Sequence, residues 1–419
     1  MRASQMLISI AKRFSWDSLE SNYSLLDDAA GPVDLKLPIN VQNLHFGGAA
    51  ALLQLVATWI RTQKNGDLYT FLGSGGTFAS QNPDEQIDRF LEHPHSLIAS
   101  CNARKIFDHN NGDITEAVRA KARQFLKLNR EHLIPNGKGL RLHLLCDDSS
   151  GFDSPDGGFH PFFYDRRGPG LASVRNVKSM GFQIRALLER QVPLRSWKPD
   201  GQIFDQLGVI IHELFDNTHV WARDDLDRRP LTPSYRGALF NCHNDYSRSV
   251  DTIAAEIGGK NTAVSRYLRS CVREDNRMLP LLEITVFDCG PTLPARAGRD
   301  IYNKLVLANE DEEYDVAIRA FLLWTSSSAE LNRGRGLERV LRAVSRCGGF
   351  LLLRTAHLNV YRDLQNEPFS DASAWATTVI PGKHPLRDLI PRNSKQRPTS
   401  FAAGTFVTLL IPLKQRQHL

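Results

Sequence analysis

Two short strand-like stretches, Val33–Ile39 and Gly66–Phe71, flank a run in which Ala49, Leu52, Leu53, Val56, Trp59 and Ile60 recur at helical spacing. A strand, a helix of about three turns and a second strand specify a βαβ unit, whose crossover sets the strands parallel. The chain is therefore expected to be α/β. Gly73-Ser74-Gly75-Gly76 closes the second strand. This cluster lacks the Lys-Ser/Thr ending with which a phosphate loop reaches the β and γ phosphates, so it reads as a turn.

With 419 residues, the chain has room for two or three domains of about 150 residues each. Its 42% hydrophobic and 23% charged content excludes collagen-like and disordered classes. The net charge of +6 tolerates phosphate ligands but does not by itself indicate nucleic acid. The apolar run Ala49–Ile60, interrupted by Gln54 and Thr58, is too short for a membrane span. Met1–Phe14 lacks the apolar centre and cleavage site of a secretory signal. Cys101, Cys146, Cys242, Cys271, Cys289 and Cys347 are scattered, with no metal-ligand spacing, which suits a reduced protein. His93 and His95 have no third ligand nearby. A cytoplasmic protein without structural zinc or a membrane association is expected.

The early region, about Asp34 to Phe107, resembles a STAS domain, the small α/β module of anti-sigma-factor antagonists. The resemblance rests on Leu35-Lys36-Leu37-Pro38 and on the stretch from Leu44-His45-Phe46-Gly47-Gly48 to Leu53. In that family the loop before the helix offers a phosphorylatable Ser or Thr. Gly47 and Gly48 hold that place here, so the resemblance does not extend to phospho-regulation. A generic βαβ scaffold is the alternative.

A helical pattern follows at Thr115–His132, then a strand at Leu140–Cys146. Asp147–Gly170 is dense in Asp, Gly and Pro and reads as a long loop. These features divide the chain into an α/β region at 1–146, a linker at 147–170 and a second domain at 171–419. There is no internal repeat.

The second domain carries the informative residues. Phe204–Ala222 reads as a helix on which Phe204, Leu207, Ile211 and Phe215 fall within roughly 80° of one another. Glu213 and Asn217 are four apart on the opposite side, flanked by Val209, Ile210 and Val220. A carboxylate and a carboxamide on a covered face need partners, which a ligand with a metal would supply. An exposed polar stripe is the other reading of this segment alone. Leu281–Phe287 is an apolar strand ending in Asp288-Cys289-Gly290. Arg333-Gly334-Arg335-Gly336 opens a helix bearing Leu337, Val340, Leu341 and Val344 on one face. Backbone N–H groups at such a start can approach phosphate. That helix stops at Gly348-Gly349, the strand Phe350–Arg354 follows, and Gly404-Thr405 opens a last strand, Phe406–Leu413.

Glu-x-x-x-Asn on a helix, Asp-x-Gly after a strand, Gly-x-Gly before a helix and Gly-Thr before a final strand form an ordered series. In that order the stretch Ser196–Pro412 resembles the GHKL superfamily of gyrase, heat-shock 90 chaperones, histidine kinases and MutL. The resemblance implies a Bergerat-type α/β sandwich with ATP held between helices under a lid. It implies Asn217 as the ligand of Mg²⁺, Asp288 as acceptor from the adenine amino group and Gly290 as the point of purine approach. It further implies Gly334 and Gly336 closing over the phosphates, Thr405 supporting the adenine and Glu213 activating water. The residue reading agrees on Glu213, since a carboxylate one turn from a metal-binding amide can take a proton from water. The sequence departs from the family at Thr218, at Thr292 in place of a second glycine, and in the long segment Arg223–Pro280.

The stretch between Gly290 and Arg333 fits the lid, with an acidic knot at Glu310-Asp311-Glu312-Glu313 and hydroxyls at Thr325–Ser328. Arg333 and Arg335 read as phosphate-neutralising or as exposed charge. Lys383–Arg397 is basic but lacks stacking aromatics, so a solvated insertion is favoured over nucleic-acid binding. The leading expectation is an ATP-binding, ATP-hydrolysing switch acting on a protein partner or a second protomer. A kinase of the anti-sigma or histidine-kinase kind, and a non-catalytic nucleotide sensor, are the alternatives.

Overall fold

The computed structural model describes residues 6–63, 66–73, 82–130, 141–148, 158–166, 172–191, 201–243, 251–252, 262–272, 280–303, 307, 309–322, 336–369, 385–389 and 399–413. The chain divides into two compact units, Met1–Leu133 with Ser400–Ala403, and Ile134–Thr399 with Gly404–Leu419. It is mixed α/β, with a four-stranded parallel sheet, a seven-stranded antiparallel sheet and a two-stranded antiparallel ribbon among the described residues.

The first unit contains β1 (Met6–Ser9), α1 (Trp16–Asp27), β2 (Val33–Leu37), α2 (Gly48–Thr62) and β3 (Leu68–Thr70). It continues with α3 (Pro83–Leu91), α4 (Pro94–Asn102), β4 (Ile106–Phe107) and α5 (Thr115–Arg130). The strands lie side by side in the order β1-β2-β3-β4, each pair parallel. The expected βαβ unit is β2-α2-β3. α2 buries Leu52, Leu53, Leu55, Val56 and Trp59. Its two buried polar residues are hydrogen-bonded: Thr58 Oγ1 donates to the Gln54 carbonyl at 2.8 Å and accepts from Ala403 N–H at 2.9 Å, while Gln54 Nε2 donates to the Ala403 carbonyl at 3.1 Å. Such pairing makes buried polar groups tolerable within an apolar helix. Ahead of α2, Gly47 adopts φ +93° as its N-cap. Of the glycine cluster 73–76, only Gly73 lies within the described residues.

The second unit is built from β5 (Arg141–Asp147), β6 (Tyr164–Arg166), β7 (Ala172–Val174), α6 (Val177–Gln191), α7 (Gly201–Trp221), β8 (Tyr235–His243) and α8 (Ala263–Ser270). There follow β9 (Leu281–Asp288), α9 (Leu293–Tyr302), α10 (Glu310–Leu322), α11 (Gly336–Arg346), β10 (Phe350–Ala356), β11 (Leu358–Asp363), β12 (Arg387–Asp388) and β13 (Ala402–Pro412). The large sheet runs β12-β11-β10-β13-β9-β8-β5. The pairs β5–β8, β8–β9, β9–β13, β10–β11 and β11–β12 are antiparallel. Alternate residues of its central strands (Phe240, Ile284, Val286, Val407, Leu409, Leu351 and Leu353) join the apolar side chains of α6, α7 and α11 in one core. Phe204, Leu207, Ile211 and Phe215 of α7 are buried in it, as their spacing requires. Full burial of side chains of this size contributes about 1.5–3 kcal/mol each.

Two sequence expectations need correction. The boundary placed at 147–170 lies instead at Leu133, because β5 pairs along its whole length with β8. Nor is 158–166 part of a linker: Phe162, Phe163 and Tyr164 are buried, and Phe163 stacks on Phe215 at 3.8 Å. Secondly, part of the expected lid is packed structure. The acidic knot is the first turn of α10, where negative charge complements the helix dipole, and Val316, Ala317 and Phe321 are buried. Residues 323–335, with the hydroxyl run, Arg333, Gly334 and Arg335, lie outside the described residues. Most of Lys383–Arg397 does too, except that Arg387 sits in β12 and pairs with Glu367. The long segment Arg223–Pro280 supplies β8 and α8. The six cysteines are free thiols. Among the described residues, no helix is long and apolar enough to cross a membrane.

Candidate nucleotide site

On the helix-covered face of the large sheet the apolar layer ends in polar residues. Arg236, Asp288 and Thr405 are cross-strand partners on β8, β9 and β13. Each falls two residues beyond a core residue on its own strand, Ala238, Val286 and Val407, and so points to the same face. Thr355 on β10 and Asp148, one residue past the end of β5, continue the row.

Arg236 is fully buried and anchors one end. Its Nε and Nη2 donate to the two carboxylate oxygens of Asp148, both at 2.9 Å, and Nη1 donates to the Tyr164 hydroxyl. Ser234 Oγ donates to the same carboxylate at 3.3 Å. The guanidinium also lies over the Tyr164 and Phe215 rings. Tyr164 Oη is 2.8 Å from His219 Nδ1. A guanidinium has only donors, so the Tyr164 oxygen accepts from Arg236. Burial pushes the Tyr164 hydroxyl pKa up, which keeps the hydroxyl protonated.

Asp288 ends β9, nearly buried, and its Oδ1 accepts from Gly290 N–H at 3.0 Å. Gly290 packs on the end of α7: a Cβ there would lie 2.5 Å from the Ala222 carbonyl oxygen and 2.7 Å from its Cα. Opposite, Gly404 takes φ +73° with its α-carbon against the Asp288 carbonyl, a conformation that favours glycine. The Thr355 hydroxyl donates to the Gly404 carbonyl at 2.9 Å and lies 3.3 Å from Thr405 Oγ1. It also accepts from Leu293 N–H at 3.0 Å. Thr292, where the GHKL pattern has glycine, is the N-cap of α9, its hydroxyl accepting from Ala295 N–H at 3.4 Å. The departure therefore has a structural use: it starts a helix. From α9, Arg296 donates to the carbonyls of Trp221, Asp224 and Asp225, satisfying the chain where α7 ends.

The other end of the site lies up α7. Glu213 is 12% exposed and ion-paired with Arg339 of α11. A Cβ on Gly336 would lie 2.7 Å from Glu213 Oε2, so the first turn of α11 rests on this carboxylate. Asn217 is half-buried, and among the described residues its carboxamide makes no hydrogen bond. Nine residues separate Glu213 from Ala222, about 13 Å along a helix.

The sequence-predicted residues thus fall into an ordered set. Asp288, Gly290 and Thr405 cluster at the end of α7, Glu213 and Gly336 meet higher up, and Asn217 stands between. Gly334 lies outside the described residues. Sequence reasoning passed over Arg236, Asp148, Tyr164, Thr355 and Arg339. The one signal for Arg236 was a charge within the otherwise apolar stretch Tyr235–Phe240. No protein family, curated protein or solved structure was found to match the chain.

Proposed function

We propose that the second unit binds ATP with Mg²⁺ and works as a nucleotide-driven switch of the GHKL type. The observation that carries this reading is the order of groups along α7. A hydrogen-bond acceptor, Asp288, and a hydroxyl, Thr405, sit beside a glycine contact at one end. A carboxamide that makes no hydrogen bond among the described residues comes next, and a carboxylate under the start of a second helix comes last. The two ends stand about 13 Å apart along the helix axis. The base would lie toward Asp288, with its amino group donating to the carboxylate, and Thr405 held by Thr355 beneath it.

Among the described residues no cluster of three or more His, Cys, Asp or Glu is placed to hold a metal ion by itself. Mg²⁺ keeps several waters and relies on substrate phosphates with few protein oxygens, so the Asn217 carboxamide oxygen beside bound phosphates is a donor it could use. Asn217 would be the protein ligand, and the bound ion would neutralise phosphate charge. Glu213, one turn earlier, would accept the proton of the attacking water. The Glu213–Arg339 pair favours a second reading, a sensor that holds nucleotide without turning it over. Changes in contacts with a protein partner or second copy belong to the proposal in either case.

Calorimetric titration of the full chain with ATP, with and without Mg²⁺, tests the binding. Phosphate release and transfer of label to protein then separate an ATPase, a kinase and a sensor. Absence of magnesium-dependent ATP binding would overturn the reading.

A further inference from the structure

Glu213 and Arg339 suggest more than a stabilising contact. Glu213 is nearly buried on α7, while its partner on the first turn of α11 is 50% exposed. The inner member is fixed, with Gly336 packed on its Oε2. The outer one is on a long side chain that solvent reaches. The neighbouring Arg342 is occupied within its own helix, donating to Glu338 at 2.9 and 2.6 Å. Arg339 is therefore the first-turn guanidinium of α11, paired with Glu213 at the phosphate end of the proposed site.

We infer that Arg339 exchanges partners, leaving Glu213 for the terminal phosphate when a nucleoside triphosphate enters. The inference rests on the nucleotide reading above. Its physical basis is competition between two anions for one cation. Water reaches the half-exposed Arg339 side of the pair and screens it, so parting the two costs less than parting a fully buried pair. A phosphate oxygen pair offers the guanidinium a bidentate, more highly charged acceptor. The exchange does two things at once. It adds a contact available to a triphosphate and absent from a diphosphate. It also releases the Glu213 carboxylate, whose Oε1 is otherwise taken up by the Arg339 guanidinium. The resting protein is thereby kept from activating water until the γ-phosphate is in place.

The test is calorimetric binding of ATP and of ADP, each with Mg²⁺, to the full-length wild type, Glu213→Gln, Arg339→Ala and the double variant. Glu213→Gln should bind ATP about tenfold more tightly, because Arg339 no longer has to be drawn from a carboxylate, with ADP unchanged. Arg339→Ala should weaken ATP about tenfold and leave ADP unchanged. In the Arg339→Ala background, Glu213→Gln should no longer tighten ATP. A melting curve of each protein without nucleotide establishes folding, and Arg339→Gln replaces the alanine variant where that one melts early. If ATP and ADP affinities move together or not at all, or if the Glu213→Gln gain persists without Arg339, the exchange is wrong while the nucleotide reading stands. If the wild type binds neither nucleotide, the nucleotide reading falls and the exchange falls with it.

Discussion

Replacing Asp148 with alanine should be among the most destabilising single changes in the second unit. Its side chain is 5% exposed and its partner Arg236 is fully buried. Two charge-assisted hydrogen bonds of 2.9 Å disappear, together with the one from Ser234. The Arg236 guanidinium keeps the Tyr164 hydroxyl and two aromatic faces, none of which carries a compensating charge. Breaking one member out of a buried pair costs about 3–5 kcal/mol, because the remaining charge stays in low dielectric. Domain stability is about 5–15 kcal/mol, so the loss is a large share of it. The double replacement Asp148→Leu with Arg236→Met removes both charges and should be less damaging than Asp148→Ala alone. The assay is hydrogen exchange in a urea series, read from peptides of β8, β9 and α7 so that the second unit is followed by itself. A loss below about 1 kcal/mol, or a double variant as unstable as the single one, would refute the reasoning.

Asp288→Asn should fold normally and weaken ATP binding by about 1–3 kcal/mol in a calorimetric titration, since it replaces a charged acceptor by a neutral amide. Gly290→Ala should lower thermal stability by about 1–3 kcal/mol, because its Cβ meets backbone atoms of Ala222 that have no room to give. Asn217→Ala should remove the magnesium dependence of ATP binding, checked in the same titrations with and without the ion. Glu213→Ala should slow phosphate release at saturating ATP by roughly 10²–10⁴-fold without abolishing binding. Burial pushes the Cys146 and Cys242 thiols from 9.0 up to about 11. Between those values the unfolded chain loses protons that the folded one keeps. Their contribution is therefore intact below pH 9 and declines as pH rises toward 11, visible as a falling urea midpoint that flattens in Cys242→Ala.

Periodicity and turn chemistry made much of this architecture legible. The helix spacing of Phe204, Leu207, Ile211 and Phe215 is a local property, and so is the apolar run of Leu281–Phe287. Such patterns read correctly because each element must bury one face whatever its neighbours are. The order of Glu213, Asn217, Asp288, Gly336 and Thr405 was likewise visible. That Asp288 and Thr405 lie opposite one another was not, since antiparallel register between segments more than a hundred residues apart is set by packing. The same holds for β5, which reads correctly as a strand but takes its sheet from β8, not from the helix-and-strand pattern before it. Arg236, Asp148 and Tyr164 looked unremarkable singly, because a buried charge is meaningful only when its distant partner is known. Arg339 looked like one more exposed arginine on an amphipathic helix until α11 was placed across α7. Local sequence decides which residues face inward. Which polar groups then meet is decided by long-range contacts, since the energy of a charge depends on what surrounds it in three dimensions.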